Sequence, residues 1–101
     1  MEHIDTLKSE LADGSAQLLD VREFNEWQAG HIKQAQLVPL SQLNGFQEPD
    51  EADPDVKTYI HCRSGSRVHA AKPILEEMGF SEVISLAEGF EELVSLGLEA
   101  E

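Results

Sequence analysis

The chain has 101 residues, 41% of them hydrophobic, which suits a single compact domain with its own core and leaves no room for a second. Twenty acidic residues against seven basic ones give a net charge of −13, a balance that repels nucleic acid and anionic membrane surfaces. One cysteine forms no internal disulfide and fits a reducing compartment. The start, Met1-Glu2-His3-Ile4-Asp5, lacks the basic and apolar regions of a leader, and no apolar run approaches a membrane span. These features predict a cytoplasmic protein that binds neither nucleic acid nor membrane.

In chain order, Ile4, Leu7 and Leu11 recur at helical spacing, which predicts a helix over 4–12 with Asp5 or Thr6 as its cap and Gly14 as its stop. Gln17 to Val21 reads as a short apolar strand, and the polar group Asp20, Arg22 and Glu23 marks its carboxyl end, where ligands sit in open parallel sheets. Asp20 reads alternatively as a helix cap. Phe24 and Trp27 have the spacing of a buried helical face ending at Gly30, which predicts core aromatics rather than substrate contacts.

A short strand over 35–38 stops at Pro39, and Ser41-Gln42-Leu43 opens a short helix. Residues 44–55, with Gly45, Pro49 and Pro54, form the most loop-like stretch. Val56 to Ile60 is β-branched and aromatic, and predicts a strand. A helix beginning at about Ser66 carries Val68, Ala71, Ile74, Leu75 and Met78 on one face, is interrupted by Pro73 and stops at Gly79. Val83 to Leu86 makes the last strand and Gly89 to Leu96 the closing helix. Strands alternating with helices predict a parallel α/β sheet covered on both faces.

The chemistry concentrates where the fifth-decade strand ends, in His61-Cys62-Arg63-Ser64-Gly65-Ser66-Arg67. A buried structural cysteine favours aliphatic neighbours, whereas the five residues after Cys62 are Arg, Ser, Gly, Ser and Arg. Gly65 lets the loop curl, so that successive amides face one point, and the following helix adds its positive end. Cysteine ordinarily titrates near ~8.5, and such surroundings lower it, which makes Cys62 a candidate thiolate nucleophile. His61 precedes it on a strand and should point to the opposite face. His69, a turn beyond the loop, reads as an exposed helical residue. All three arginines, Arg22, Arg63 and Arg67, fall in the segments assigned to the site, while the lysines at 8, 33, 57 and 72 are scattered. Four residues separate Cys62 from Arg67, where cysteine phosphatases place five. A loop one residue shorter closes on a smaller target, and a single sulfur carried as a persulfide fits it better than a phosphate ester.

Leu18-Leu19-Asp20-Val21-Arg22-Glu23 with Glu26-Trp27, then Gly30-His31-Ile32, Cys62 to Arg67, Gly79-Phe80 and Glu88-Gly89-Phe90 occur in the order found in single-domain rhodaneses, the thiosulfate sulfurtransferase-like family, which the chain resembles over most of its length. The resemblance implies a three-layer α/β domain over residues 1–101, with a parallel sheet of about four to five strands and helices on both faces. It implies a sulfurtransferase with Cys62 as the catalytic residue, taking a small anionic sulfur donor such as thiosulfate and a thiol or cyanide acceptor, with a sulfur-relay protein as a further partner. Arg63, Ser64, Gly65, Ser66 and Arg67 would bind substrate; Asp20 would hydrogen-bond near the loop, and Arg22 would pair with Glu26 to order the rim. His31 would satisfy backbone groups in a turn. No cofactor or metal is called for. Two alternatives stand beside this reading: a persulfide carrier with little turnover of free thiosulfate, and a cysteine-dependent phosphatase or arsenate reductase. Lys33, Glu88, Leu93 and the tail Leu98 to Glu101 depart from the family pattern and put substrate preference and partner surface in question.

Overall fold

A computed structural model describes residues 2–101. Its elements run α1 (Glu2–Asp13), β1 (Ala16–Asp20), α2 (Phe24–Ala29), β2 (Ala35–Leu37), α3 (Leu40–Asn44), β3 (Lys57–His61), α4 (Val68–Glu77), β4 (Val83–Ser85) and α5 (Phe90–Ser95). The four strands form one sheet in the order β2-β1-β3-β4, every pair parallel. β3, which delivers Cys62, is therefore an inner strand, with β1 on one side and β4 on the other.

Strand alternation sorts the apolar residues onto two faces. Leu18 and Tyr59 pack with Ile4 and Leu7 of α1 and Leu93 of α5. Leu19, Val21 and Ile60 pack with Leu43 of α3 and with Val68, Ala71 and Leu75 of α4. Two helical layers thus enclose the sheet, giving the three-layer α/β domain that the sequence implied. Burying each of these leucines or isoleucines contributes about 1.5–3 kcal/mol, so the sheet is fixed from both sides before any polar contact is counted.

Three local expectations are corrected. α1 begins at Glu2, so Asp5 and Thr6 lie inside it rather than capping it; the Thr6 hydroxyl donates to the Glu2 carbonyl at 3.1 Å, and Glu2 and Asp5 place negative charge in the first turn, where the helix dipole favours it. α4 begins at Val68 with Arg67 as its N-cap residue, which leaves Ser66 in the loop. Phe24 is 58% exposed: α2 buries no residue, so its i, i+3 aromatic pair has no wall to face. Trp27 instead stacks on His31, ring centroids 3.6 Å apart.

The long connection between α3 and β3 is tied to the sheet by one side chain. The Gln17 amide donates to the Asp53 carbonyl at 2.6 Å and accepts from the Asp53 N–H at 3.1 Å. At the far end of the chain, the Glu101 N–H donates to the His31 carbonyl at 2.7 Å and the Lys33 N–H to the Glu99 carbonyl at 2.8 Å. These bonds hold the 31–33 turn on which α2 and Gly30 rest.

Candidate active site

Cys62 follows the last residue of β3, and the chain from Arg63 to Arg67 curls back over it before α4 starts. The curl needs Gly65, whose φ is +86°, a region that L side chains rarely adopt. Its amide donates to Cys62 Sγ at 3.1 Å. Burial alone pushes the Cys62 thiol up, but the backbone N–H groups of the loop and of the start of α4 favour the thiolate and bring it below the ordinary cysteine value. Hydrogen bonds to an anion favour the anionic form, and here the surrounding backbone donors outweigh the desolvation of one sulfur. Cys62 has 0% exposure. It belongs to the buried apolar cluster that includes Leu19, Val21, Ile60 and Val68, while the Gly65 amide meets its sulfur.

A second loop backs the first. A Cβ on Gly89 would fall 1.8 Å from the Arg63 carbonyl oxygen, and one on Gly65 would fall 2.6 Å from the Ala87 carbonyl oxygen. The 87–89 backbone therefore lies directly against the cysteine loop with no room for a side chain between them. The Phe90 N–H, first in α5, donates to the Cys62 carbonyl at 3.0 Å. Gly89, which the sequence offered only within the Glu88-Gly89-Phe90 motif and as the start of the closing helix, is a site residue; its signal was the glycine at a strand-to-helix turn.

The ion pairs differ from the sequence expectation. Arg22 does not pair with Glu26. Its guanidinium forks onto Asp20, with Nη2 to Oδ2 at 2.8 Å, and also donates to the Gly30 carbonyl at 2.7 Å. Both side chains are buried, and the guanidinium lies over the Phe90 ring, 4.4 Å from its centroid. Asp20 Oδ1 accepts the Arg22 N–H at 2.9 Å, a local turn bond, so Asp20 caps no helix. Glu26 pairs instead with Arg67: Nη1 to Oε1 at 2.6 Å and Nη2 to Oε2 at 2.8 Å. The cause is the α2 capping box. Glu26 is its third residue and turns back to accept the Glu23 N–H at 3.0 Å, which aims its carboxylate across the gap to α4. Asp20 and Arg22, two apart at the end of a strand, share a side and meet each other.

His61 is buried, with Nε2 3.8 Å from Asp20 Oδ2 and Nδ1 3.3 Å from the Cys62 carbonyl. Burial lowers its pKa against the pull of Asp20, so it stands neutral below the strand tip, on the side of the sheet away from the sulfur. His31 Nδ1 lies 3.0 Å from the Trp27 carbonyl, and His69 is exposed on α4. Arg63, Ser64 and Ser66 are exposed at the rim. Beside the loop opens a cleft of about 260 Å³ lined by Arg22, Glu26, Gly30, Arg63, Phe90 and Glu91. A larger cleft of about 500 Å³ lies at β2, between Trp27, Gln36, Gln42 and Glu51, and shares no residue with the loop. Among the described residues no helix is long and apolar enough to cross a membrane, and no three His, Cys, Asp or Glu side chains gather as a metal site.

Comparison with known proteins agrees with this geometry. The family model described as "Rhodanese-like domain" matches residues 3–96. An uncharacterized protein, YqhL, of Bacillus subtilis is 41% identical over 75 residues, 74% of this chain and 58% of that protein. The putative sulfur carrier protein YrkF of the same organism is 32% identical over 78 residues, 77% of this chain and 41% of that protein. The chain thus spans about half the length of these two relatives. Thiosulfate sulfurtransferase GlpE of Pseudomonas fluorescens is 33% identical over 90 residues, 89% of this chain and 77% of that protein. Among solved structures, the human single-domain sulfurtransferase TSTD1 superimposes with a TM-score of 0.75 at 24% identity, covering 90% of this chain and 91% of that one.

Proposed function

Because this chain belongs to the rhodanese-like domain family, with sulfurtransferases and a putative sulfur carrier among its relatives, we propose that it is a sulfurtransferase, one domain over residues 1–101, working through a persulfide on Cys62. The observation that carries this reading is the curl of the loop at Gly65, φ +86°, which brings the Gly65 amide onto Cys62 Sγ at 3.1 Å. Such a cradle stabilises a thiolate and, one atom further out, the terminal sulfur of a persulfide. In the first half-reaction the Cys62 thiolate attacks the outer sulfur of thiosulfate or a related donor. The donor's S–S bond breaks and sulfite leaves with the bonding pair. In the second, cyanide or a thiolate attacks the outer sulfur of the persulfide, and the Cys62 thiolate is released. Sulfite leaves as an anion, so neither step needs a proton donor, and neutral His61 on the far face takes no part. Arg63, Ser64, Gly65, Ser66 and Arg67 form the substrate loop, and the Asp20–Arg22 pair supports it from below. The chemistry asks for no cofactor; the acceptor in the cell is a thiol or a sulfur-relay protein.

The test is intact mass before and after adding donor, paired with thiocyanate production. A gain of one sulfur atom, lost on adding cyanide and absent in Cys62→Ser, is expected; transfer by Cys62→Ser would overturn the assignment. A second reading, a persulfide carrier that hands sulfur to a partner with little free turnover, draws on the full burial of Cys62 and on the likeness to YrkF. It would give the mass gain with negligible thiocyanate.

A further inference from the structure

Three guanidinium groups surround the cysteine loop, and carboxylates already hold two of them. Asp20 takes Arg22 through a forked contact under the Phe90 ring. Glu26 takes both terminal nitrogens of Arg67, and α2 holds Glu26 in turn through the Glu23 N–H. The hydrogen bonds from Arg67 keep the Glu26 carboxyl at about 2, so it is ionised at any working pH. Arg63 alone of the three has no carboxylate partner among the described residues. The cleft beside the loop is lined by two arginines, Arg22 and Arg63, and two glutamates, Glu26 and Glu91, in a chain of net charge −13. A dianion entering it meets no surplus positive charge, and to use Arg67 it must displace a bidentate carboxylate anchored at both ends.

Building on the reading of Cys62 as the sulfur-carrying residue, we infer that this site discriminates against thiosulfate and takes its sulfur from a thiol persulfide, with Glu26 setting that preference by occupying Arg67. The step balances without an oxidant: the Cys62 thiolate attacks the outer sulfur of R–S–SH, the bond between the donor's two sulfurs breaks, and R–S⁻ departs with the pair, leaving Cys62–S–SH. The leaving thiolate needs neither a sulfonate clamp nor a dianion site. It does need one cation near the departing charge, and unpaired Arg63 on the rim supplies it.

The experiment compares two donors, thiosulfate and cysteine persulfide, whose ammonium cancels its carboxylate, on the wild type and on Glu26→Gln. The glutamine keeps an acceptor for the Glu23 N–H and for Arg67 and removes only the charge. The wild type should show a higher kcat/KM with cysteine persulfide than with thiosulfate. Glu26→Gln should shift the ratio of the two kcat/KM values toward thiosulfate by tenfold or more, mostly through a lower KM for thiosulfate. Glu91→Gln, on the same cleft but touching no arginine of the loop, should shift the ratio by less. A wild type that prefers thiosulfate, or an unchanged ratio in Glu26→Gln, overturns the inference. Those outcomes are distinct from a failure of the underlying reading, which would appear as no added sulfur on Cys62 from either donor in either protein.

Discussion

Gly89→Ala isolates the contact between the two loops. Its backbone, φ −84° and ψ −179°, is open to any residue, so with free space an alanine there would stabilise the fold by about 0.4–1 kcal/mol through the unfolded chain. The space is absent. The new methyl would start 1.8 Å from the Arg63 carbonyl oxygen, where carbon and oxygen settle at roughly 3.3–3.6 Å, and both neighbours are backbone. The loops must part by roughly 1.5 Å, which carries the cost to the upper end of the about 1–3 kcal/mol for overpacking, or past it. Opening the loop by that much also draws the Gly65 amide off Cys62 Sγ, from which it now sits at 3.1 Å. The expected result is a lower urea midpoint together with a thiol that titrates closer to ordinary cysteine, read from thiolate ultraviolet absorbance. The chain has one cysteine, so the signal has one source. Gly79→Ala is the control: φ is +102° but nothing lies within 4 Å, so it should lose about 1–2 kcal/mol from strain and leave the thiol unmoved. A Gly89→Ala protein as stable as wild type, with an unshifted thiol, would refute the reasoning.

Asp20→Asn should destabilise by about 3–5 kcal/mol in chemical denaturation, because it leaves the buried Arg22 guanidinium without its counter-charge; a loss under 1 kcal/mol would show that water or Gly30 suffices. Phe24→Ser, on a side chain the structure leaves exposed, should stay within about 0.5 kcal/mol of wild type, whereas Leu7→Ala from the core should cost about 2–5 kcal/mol. The Cys62 thiol is depressed in the fold, so its contribution grows as pH rises through the folded value and is complete above the unfolded value near 9.0. The stability gap between wild type and Cys62→Ser should therefore widen from neutral pH toward pH 9.0, and a gap flat with pH would contradict the amide cradle. Glu26 falls from 4.5 to about 2, so its pairing with Arg67 is intact above pH 4.5 and is lost as pH drops toward 2. Denaturation of Glu26→Gln should converge on wild type across that window.

What could be read from the chain followed from how local each cause is. The strand before Cys62 and the curl after it were legible because β-branched residues, a lone cysteine and Gly65 act over a few neighbours. The parity that sends His61 away from the sulfur is equally local, since it follows from strand geometry alone. Partner choice was not legible. Arg22, Glu26 and Arg67 offer two sensible pairings on paper, and the one adopted depends on α2 turning Glu26 back through its capping box and on the distance from α2 to α4. Phe24 failed for a related reason: helical spacing identifies a stripe but not whether a second layer stands opposite it. Gly89 needed the third dimension too, because its neighbour, Arg63, lies more than twenty residues away in sequence.

Cys62 is gripped twice, its carbonyl by the Phe90 N–H and its sulfur by the Gly65 N–H. Loading one more sulfur lengthens the side chain by roughly 2 Å, and with the strand end pinned, the extra length can be taken up only by residues 63–67. Charged and empty protein should then differ in amide hydrogen exchange across that short stretch while Lys57–His61 exchanges alike in both. A partner able to feel that stretch could tell a laden domain from an unladen one without touching the sulfur.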